Sequence, residues 1–326
     1  MNALEKPSVA LIVGPTGVGK TEISVKIAKE LRTEIISCDS MQIYKHMDIG
    51  TAKVTQKEAD GVVHHMIDIA EPTVNYSVCD YVKEATLIIS DMAKRGKLPL
   101  AVGGTGLYAD SLTGRMSFEE NASSDEAYRR ELFALAEKNG AEFIHDMLKE
   151  VDEKSALAIH ANNVKRVVRA LEYFKVTGVP ISVHNEESKK IPAPYETCKI
   201  GFVRNRENLY RRIDRRVDIM LSEGLVDEVK RLVAMGCNKS HTSMQALGYK
   251  EVIDYLEGSL SYEEMTELIK RDSRRYAKRQ LTWFRRDESI HWINLDEEDS
   301  PDDTSKKCAD IIRKELLKGK RNETDI

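Results

Sequence analysis

Apolar residues in this chain follow two different rhythms. In the first hundred residues, short unbroken apolar runs end in glycine or small polar residues. VALIVG at 9–14, EIIS at 34–37 and LPLAVGG at 98–104 are such runs. They are too short for helices and predict strands buried on both faces. HHMIDI at 64–69 predicts a further strand. The segments between them carry helical spacing: Ile23, Ile27, Ala28 and Leu31 within 20–31, a long helix over 78–95, and a short one over 105–112. A strand, a helix and a strand within about 30 residues predict a parallel pair.

The rhythm changes at 117. From there to 188 the apolar spacing is only helical, with Tyr128, Leu132 and Leu135 on one stripe and Val164, Val167, Val168 and Leu171 on another. Pro180, Pro192 and Pro194 mark an extended connection, and KIGFV at 199–203 is strand-like again. The rest reads as helical to the end: 207–222, 225–235, 243–257, 261–286, and a tail helix from Thr304 bearing Ala309, Ile311, Ile312 and Leu316. The expected organisation is therefore an α/β core from 1–116 and 196–326, interrupted by a helical insertion over 117–195.

Composition narrows the class. Hydrophobic residues make up 41% of the 326 residues and charged residues 32%, a soluble globular balance. No apolar run approaches the roughly 18 residues of a membrane helix, and the apolar stretch before the first glycines is short for a signal peptide. A cytoplasmic protein with no membrane partner is expected. Cys38, Cys79, Cys198, Cys237 and Cys308 are scattered without zinc spacing. They read as reduced thiols, and Cys38 as a small buried strand-end residue. The net charge of −4 argues against a polyanionic partner, but its distribution does not. Residues 270–286 hold eight Lys and Arg against one Asp, and 204–216 hold six Arg against two acids. A local basic face matters more to such a partner than the net charge.

GPTGVGKT at 14–21 matches G-x-x-x-x-G-K-[ST] in full, after a strand and opening a helix. Gly14, Pro15, Thr16, Gly17, Val18 and Gly19 form a loop whose N–H groups cradle phosphate. Lys20 brings a charge to the terminal phosphate, and Thr21 offers a hydroxyl to Mg²⁺. The loop fits ATP, GTP or any diphosphate ester. No apolar run ends in Asp-Glu as an ATPase metal site would, and no guanine motif is present. The core is thus expected to be a P-loop NTPase-like parallel sheet flanked by helices.

Strand 34–37 runs into Asp39. In a right-handed parallel unit this acid shares a sheet edge with the phosphate loop. It suits a Mg²⁺ ligand, a general base toward an acceptor, or a cap on the following turn. Gln42 and Tyr44 either line an acceptor pocket or pack. GGTGLY at 103–108 allows close backbone approach and presents Thr105, or is simply a tight turn. Arg212 and Arg216 lie four apart on one helix face. Lys165, Arg166 and Arg169 flank an apolar stripe in the insertion. Arg271, Arg275, Lys278 and Arg286 spread over one side of the 261–286 helix, with Tyr276, Trp283 and Phe284 between them. His64 and His65 lack further metal ligands and suit strand-end hydrogen bonding.

GPTGVGKT, SCDSMQIY, HHMIDI, LAVGGTGLY, LYRRIDRRVDIM and RRYAKRQLTWFR together resemble the bacterial tRNA dimethylallyltransferase family, in its order and spacing, from about residue 9 to 286. The resemblance implies transfer of a dimethylallyl group from its diphosphate to the exocyclic amine of the adenine next to the tRNA anticodon. It implies a P-loop that holds the leaving diphosphate, Asp39 as base, and catalytic parts for Lys20, Thr21 and Arg212. Arg216 would join the P-loop in binding diphosphate, with Mg²⁺ on Thr21. The family's tRNA contacts would fall on Asp39, Ser40, Met41, Gln42, Thr105 and Tyr128, and on the insertion strip Lys165, Arg166, Val167, Val168 and Arg169. A monomer acting on the anticodon stem-loop is expected. The rival readings are a P-loop kinase with Asp39 as base, a prenyltransferase acting on free AMP or ATP, and a nucleotide-switched RNA-binding module.

Overall fold

The computed structural model describes residues 6–114, 125–188 and 190–317. The chain divides into two compact units, Met1–Thr113 with Pro194–Ile326, and Gly114–Ala193. The expected start of the insertion at 117 lies outside the described residues.

The larger unit opens with strand β1 (Ser8–Val13), helix α1 (Lys20–Glu30), strand β2 (Ile35–Cys38), a single-turn helix α2 (Gln56–Ala59), a two-residue strand β3 (His64–His65), helix α3 (Val78–Lys94), strand β4 (Leu100–Gly103) and helix α4 (Gly106–Leu112). The smaller unit holds α5 (Glu126–Asn139), α6 (Ala141–Val151), α7 (Glu153–Ala158), α8 (Val164–Thr177) and α9 (Ile181–Ser188). The larger unit resumes with β5 (Glu196–Val203), α10 (Arg206–Ser222), α11 (Leu225–Ala234), a 3₁₀ turn (Ser243–Gln245), α12 (Tyr249–Leu256), α13 (Tyr262–Phe284), β6 (Ile290–Asn294) and α14 (Pro301–Leu316).

The six strands form one parallel sheet in the order β3-β2-β4-β1-β5-β6. β1 lies between β4 and β5, with Ala10 opposite both Leu100 and Cys198. Its residues Val9–Ile12 are buried to 1% exposure or less, because helices cover both faces. On one face α1 and α14 bring Ile23, Ile27, Cys308 and Ile312 against Ile12 and Ile200. On the other α3 and α4 bring Tyr81, Ile89, Tyr108 and Leu112 against Leu11 and Ala101. The α/β class expected from the two rhythms is the class observed.

Four elements differ from expectation. Residues 290–294 are a strand, not part of a helical remainder. β6 is short, and its burial falls on Ile290 and Ile293, three residues apart, which mimics helical spacing. The 64–69 strand stops at His65 because Met66 takes a φ of 62° and Asp68 one of 56°, which no ladder accommodates. The 243–257 helix is broken at Gly248, whose φ is 92°. The tail helix starts at Pro301, ahead of Thr304, where Ser300 caps it by accepting from the Asp303 amide.

In the smaller unit, Leu132, Ile144, Leu148, Val167, Val168 and Leu171 form one apolar core. Fully buried Glu172 accepts from the Asp125 amide at 3.0 Å, Arg129 Nε at 2.9 Å and Arg169 Nη1 at 2.9 Å.

Candidate active site

The phosphate loop leaves β1 and enters α1 through Gly19, whose φ of 112° is a left-handed conformation that only glycine adopts cheaply. The first amides of α1 have no intrahelical partner and, with the helix dipole, favour an anion. Lys20 Nζ reaches back across the loop and donates to the Gly14 and Pro15 carbonyls, each at 2.9 Å. Burial pushes the pKa of this ammonium down to about 8. The Asp39 charge counters part of that fall, and Arg216 adds to it. Thr21 stands exposed in the first turn.

Three side chains from later elements hold the loop in shape. Arg204, just past β5, donates through Nε to the Val18 carbonyl at 2.8 Å and through Nη1 to Asp296 at 2.6 Å, beyond β6. Arg212 on α10 donates through Nε to the Gly17 carbonyl at 2.9 Å. Gln280 on α13 accepts from the Thr16 amide at 2.9 Å and donates to the Gly104 carbonyl at 2.8 Å. Two loop carbonyls are thus turned to guanidinium groups, which places positive charge around the anion cradle.

Asp39 follows β2 on the same sheet edge. Its Oδ1 accepts from the Met41 amide at 2.9 Å and the Gln42 amide at 3.4 Å, so the turn cap is real. Among the described residues no hydrogen bond to its Oδ2 is seen. Arg216 lies one helical turn beyond Arg212, is half-buried, and donates weakly to the Thr51 carbonyl at 3.5 Å. Burial lowers its pKa, and the Asp39 charge raises it. Thr105 closes the other side: its Oγ1 accepts from the Ser40 amide at 3.1 Å, and its own amide donates to the Cys38 carbonyl at 3.1 Å. Tyr276 on α13 lies near Thr105 and Gln280, which favour its ionised form, yet burial, with Asp39 second, pushes its phenol up to about 12.

The structure therefore brings together residues 14–21, Asp39, Ser40, Thr105, Arg212 and Arg216. Gln42 spans Ser37 Oγ and the Thr51 and Ala52 carbonyls, while Tyr44 is fully buried and packs. Cys38 is a buried strand end whose thiol pairs with the Tyr81 hydroxyl at 2.7 Å. His64 bonds the Val62 carbonyl, and His65 bonds Glu34 at 2.8 Å.

In the smaller unit, Lys165 and Arg166 are exposed on α8, and the Lys175 ammonium sits 5.6 Å from the Tyr128 ring centroid. Val167 and Val168 are 0% and 2% exposed. Their side chains are core: helical periodicity turns them inward while Lys165 and Arg166 turn out. Arg204, Tyr276 and Gln280 are site residues that motif reading missed. Tyr276 and Gln280 lie in the RRYAKRQLTWFR motif, four residues apart on one helix face, but were given no part in the site.

A P-loop core with a carboxylate on the same parallel sheet edge defines an enzyme of phosphate esters. The comparisons narrow the class. A family model described as IPP transferase matches residues 42–287. The chain is 50% identical over 293 residues to a tRNA dimethylallyltransferase of Acetivibrio thermocellus, covering 90% of this chain and 93% of that one. It is 46% identical over 311 residues to one of Lachnoclostridium phytofermentans, covering 95% and 99%. Among solved structures, a tRNA isopentenylpyrophosphate transferase of Bacillus halodurans superposes with a TM-score of 0.72 at 45% identity, covering 96% and 97%. A eukaryotic dimethylallyltransferase captured acting on tRNA superposes with a TM-score of 0.78 at 29% identity, covering 91% and 77%. The chain belongs to the IPP transferase family and is a prenyl-transferring enzyme.

Proposed function

We propose that this enzyme moves a dimethylallyl group from dimethylallyl diphosphate to the N6 amine of the adenosine beside the anticodon of tRNA. The observation that carries the reading is the free Oδ2 of Asp39 on the sheet edge it shares with the phosphate loop, near the charges of Lys20 and Arg216.

The amine nitrogen attacks the allylic carbon, the bond from that carbon to the diphosphate oxygen breaks, and Asp39 takes the amine proton. An adenine amine is a poor nucleophile, so removing its proton as the C–N bond forms lowers the barrier. The departing diphosphate gathers charge, which the loop amides, Lys20, Arg212 and Arg216 are placed to balance. The adenine must leave its stack to reach the site, at a cost of about a few kcal/mol.

Mg²⁺ fits the donor set. Among the described residues no three His, Cys, Asp or Glu side chains gather into a cage. Thr21 offers one hard oxygen, and Mg²⁺ characteristically completes its shell with water and substrate phosphate oxygens. Bound there, it would offset charge on the diphosphate. Lys165 and Arg166 of the helical unit supply cationic contacts for the stem-loop backbone.

Incubation with labelled dimethylallyl diphosphate and either bulk tRNA or free AMP and ATP tests the proposal. Label should enter tRNA, at the adenosine beside the anticodon when the product is mapped. Label entering only the free nucleotides would replace this reading with nucleotide prenylation, and phosphoryl transfer from ATP without prenyl transfer would replace it with a kinase.

A further inference from the structure

Glu228 lies on α11, away from the phosphate loop, and is 1% exposed. Its carboxylate accepts four hydrogen bonds. Oε2 takes the Asp48 amide at 2.9 Å and the Ile49 amide at 2.8 Å, while Oε1 takes the Gly50 amide at 3.1 Å and the Tyr249 hydroxyl at 2.6 Å. Three consecutive amides converging on one anion form a backbone nest, here filled by the protein's own side chain. Gly50 lies so close to the Tyr249 ring that an added Cβ would stand 2.5 Å from it. The 48–52 loop is pinned from beneath at two points.

The next two residues of that loop face the site. The Thr51 carbonyl accepts from Arg216 Nη2 at 3.5 Å and Gln42 Nε2 at 3.4 Å, and the Ala52 carbonyl accepts from Gln42 Nε2 at 3.3 Å. Gln42 in turn donates its amide to Asp39 Oδ1. Ala52 has a φ of 44°, a conformation alanine adopts only where the surroundings impose it. A buried carboxylate is costly unless fully hydrogen-bonded, and Glu228 is bonded by Tyr249 and by a loop whose Thr51 carbonyl meets the site's arginine.

We infer that Glu228 is a positioning residue: by nesting the amides of residues 48–50 it fixes the Thr51 carbonyl, and through it the Arg216 guanidinium, for the diphosphate. The inference rests on the diphosphate reading above. Glu228 touches no substrate and acts only through the loop.

The test is calorimetric titration of the full chain with inorganic pyrophosphate in Mg²⁺ buffer, for wild type, Glu228→Gln, Tyr249→Phe, Arg216→Ala, and each of the first two variants combined with Arg216→Ala. Glu228→Gln should weaken pyrophosphate binding about fivefold or more, and Tyr249→Phe by about twofold, as contacting residues in one network do. Both losses should largely vanish in the Arg216→Ala background. A role confined to stability would lower the melting temperature but leave the binding losses additive with Arg216→Ala. Additive losses, or wild-type affinity in Glu228→Gln, overturn the inference. If Glu228→Gln does not fold, the Tyr249→Phe pair, which keeps the nest, decides by the same criterion. A wild-type chain that binds no pyrophosphate overturns the diphosphate reading itself, and this inference with it.

Discussion

Asp39 has one oxygen committed to its own turn and one free. Replacing it by asparagine keeps a cap acceptor at Oδ1 while removing the base. Asp39→Asn should therefore lower kcat by about 10²–10⁴-fold with tRNA affinity within about tenfold; filter binding alongside single-turnover transfer checks both, and near-normal turnover would remove the base assignment. Lys20 makes a pH prediction. Its free-state pKa is depressed to about 8 and a bound diphosphate raises it, so binding takes up a proton only above that value. Diphosphate affinity should be flat below pH 8 with respect to this group and fall by up to about tenfold per unit above it; calorimetry in buffers of different ionisation enthalpy reads the proton uptake, which Lys20→Met should abolish. At this scale the phosphate loop and Asp39 were legible because each is a local signature. Gln280 and Arg204 were not: they meet the loop across 264 and 186 residues of chain, and no spacing rule spans that distance.

Among elements, the central strands declared themselves as apolar runs because both of their faces are covered. β6 did not, being a short edge strand with only Ile290 and Ile293 buried. Its packing gives a sharper test than its sequence. A Cβ at Gly201 on β5 would stand 2.6 Å from both the Ile290 and the Trp292 side chains. Gly201→Ala should cost about 1–3 kcal/mol by overpacking, read as a lower urea midpoint at unchanged m-value. A neutral outcome would mean that β6 is free to shift outward. Helix α13 was legible as a helix, and its basic run as a basic face. That its inward side carries Gln280 and Tyr276 to the site could not be known before the sheet fixed which side faced in.

For the whole molecule, the change of rhythm at 117 led to the expectation of a helical insertion in a parallel-sheet core; the described residues fall into one unit that holds the sheet and another of helices alone. The exposed cations of that unit carry the tRNA expectation. Arg169 is a poor probe of it, since its guanidinium pairs with fully buried Glu172 and its loss would also weaken the unit. Lys165→Ala with Arg166→Ala is cleaner. The pair should weaken tRNA binding and reduce the slope of log K against log salt by about 0.7–0.9 for each phosphate no longer neutralised. Fluorescence anisotropy across a salt series measures it, and an unchanged slope would return these residues to plain surface.

The bracing of the phosphate loop also sets a timetable for a ribosome. The loop is made before the elements that brace it, and its strand must wait for residue 100 on one side and residue 196 on the other. Its carbonyl at Val18 waits for Arg204, the amide at Thr16 for Gln280, and Arg204 itself for Asp296. Residues as far as 296 have to emerge before the loop at 14–21 has all of these braces, so a nascent chain halted short of 280 carries the motif without Gln280 to hold the Thr16 amide.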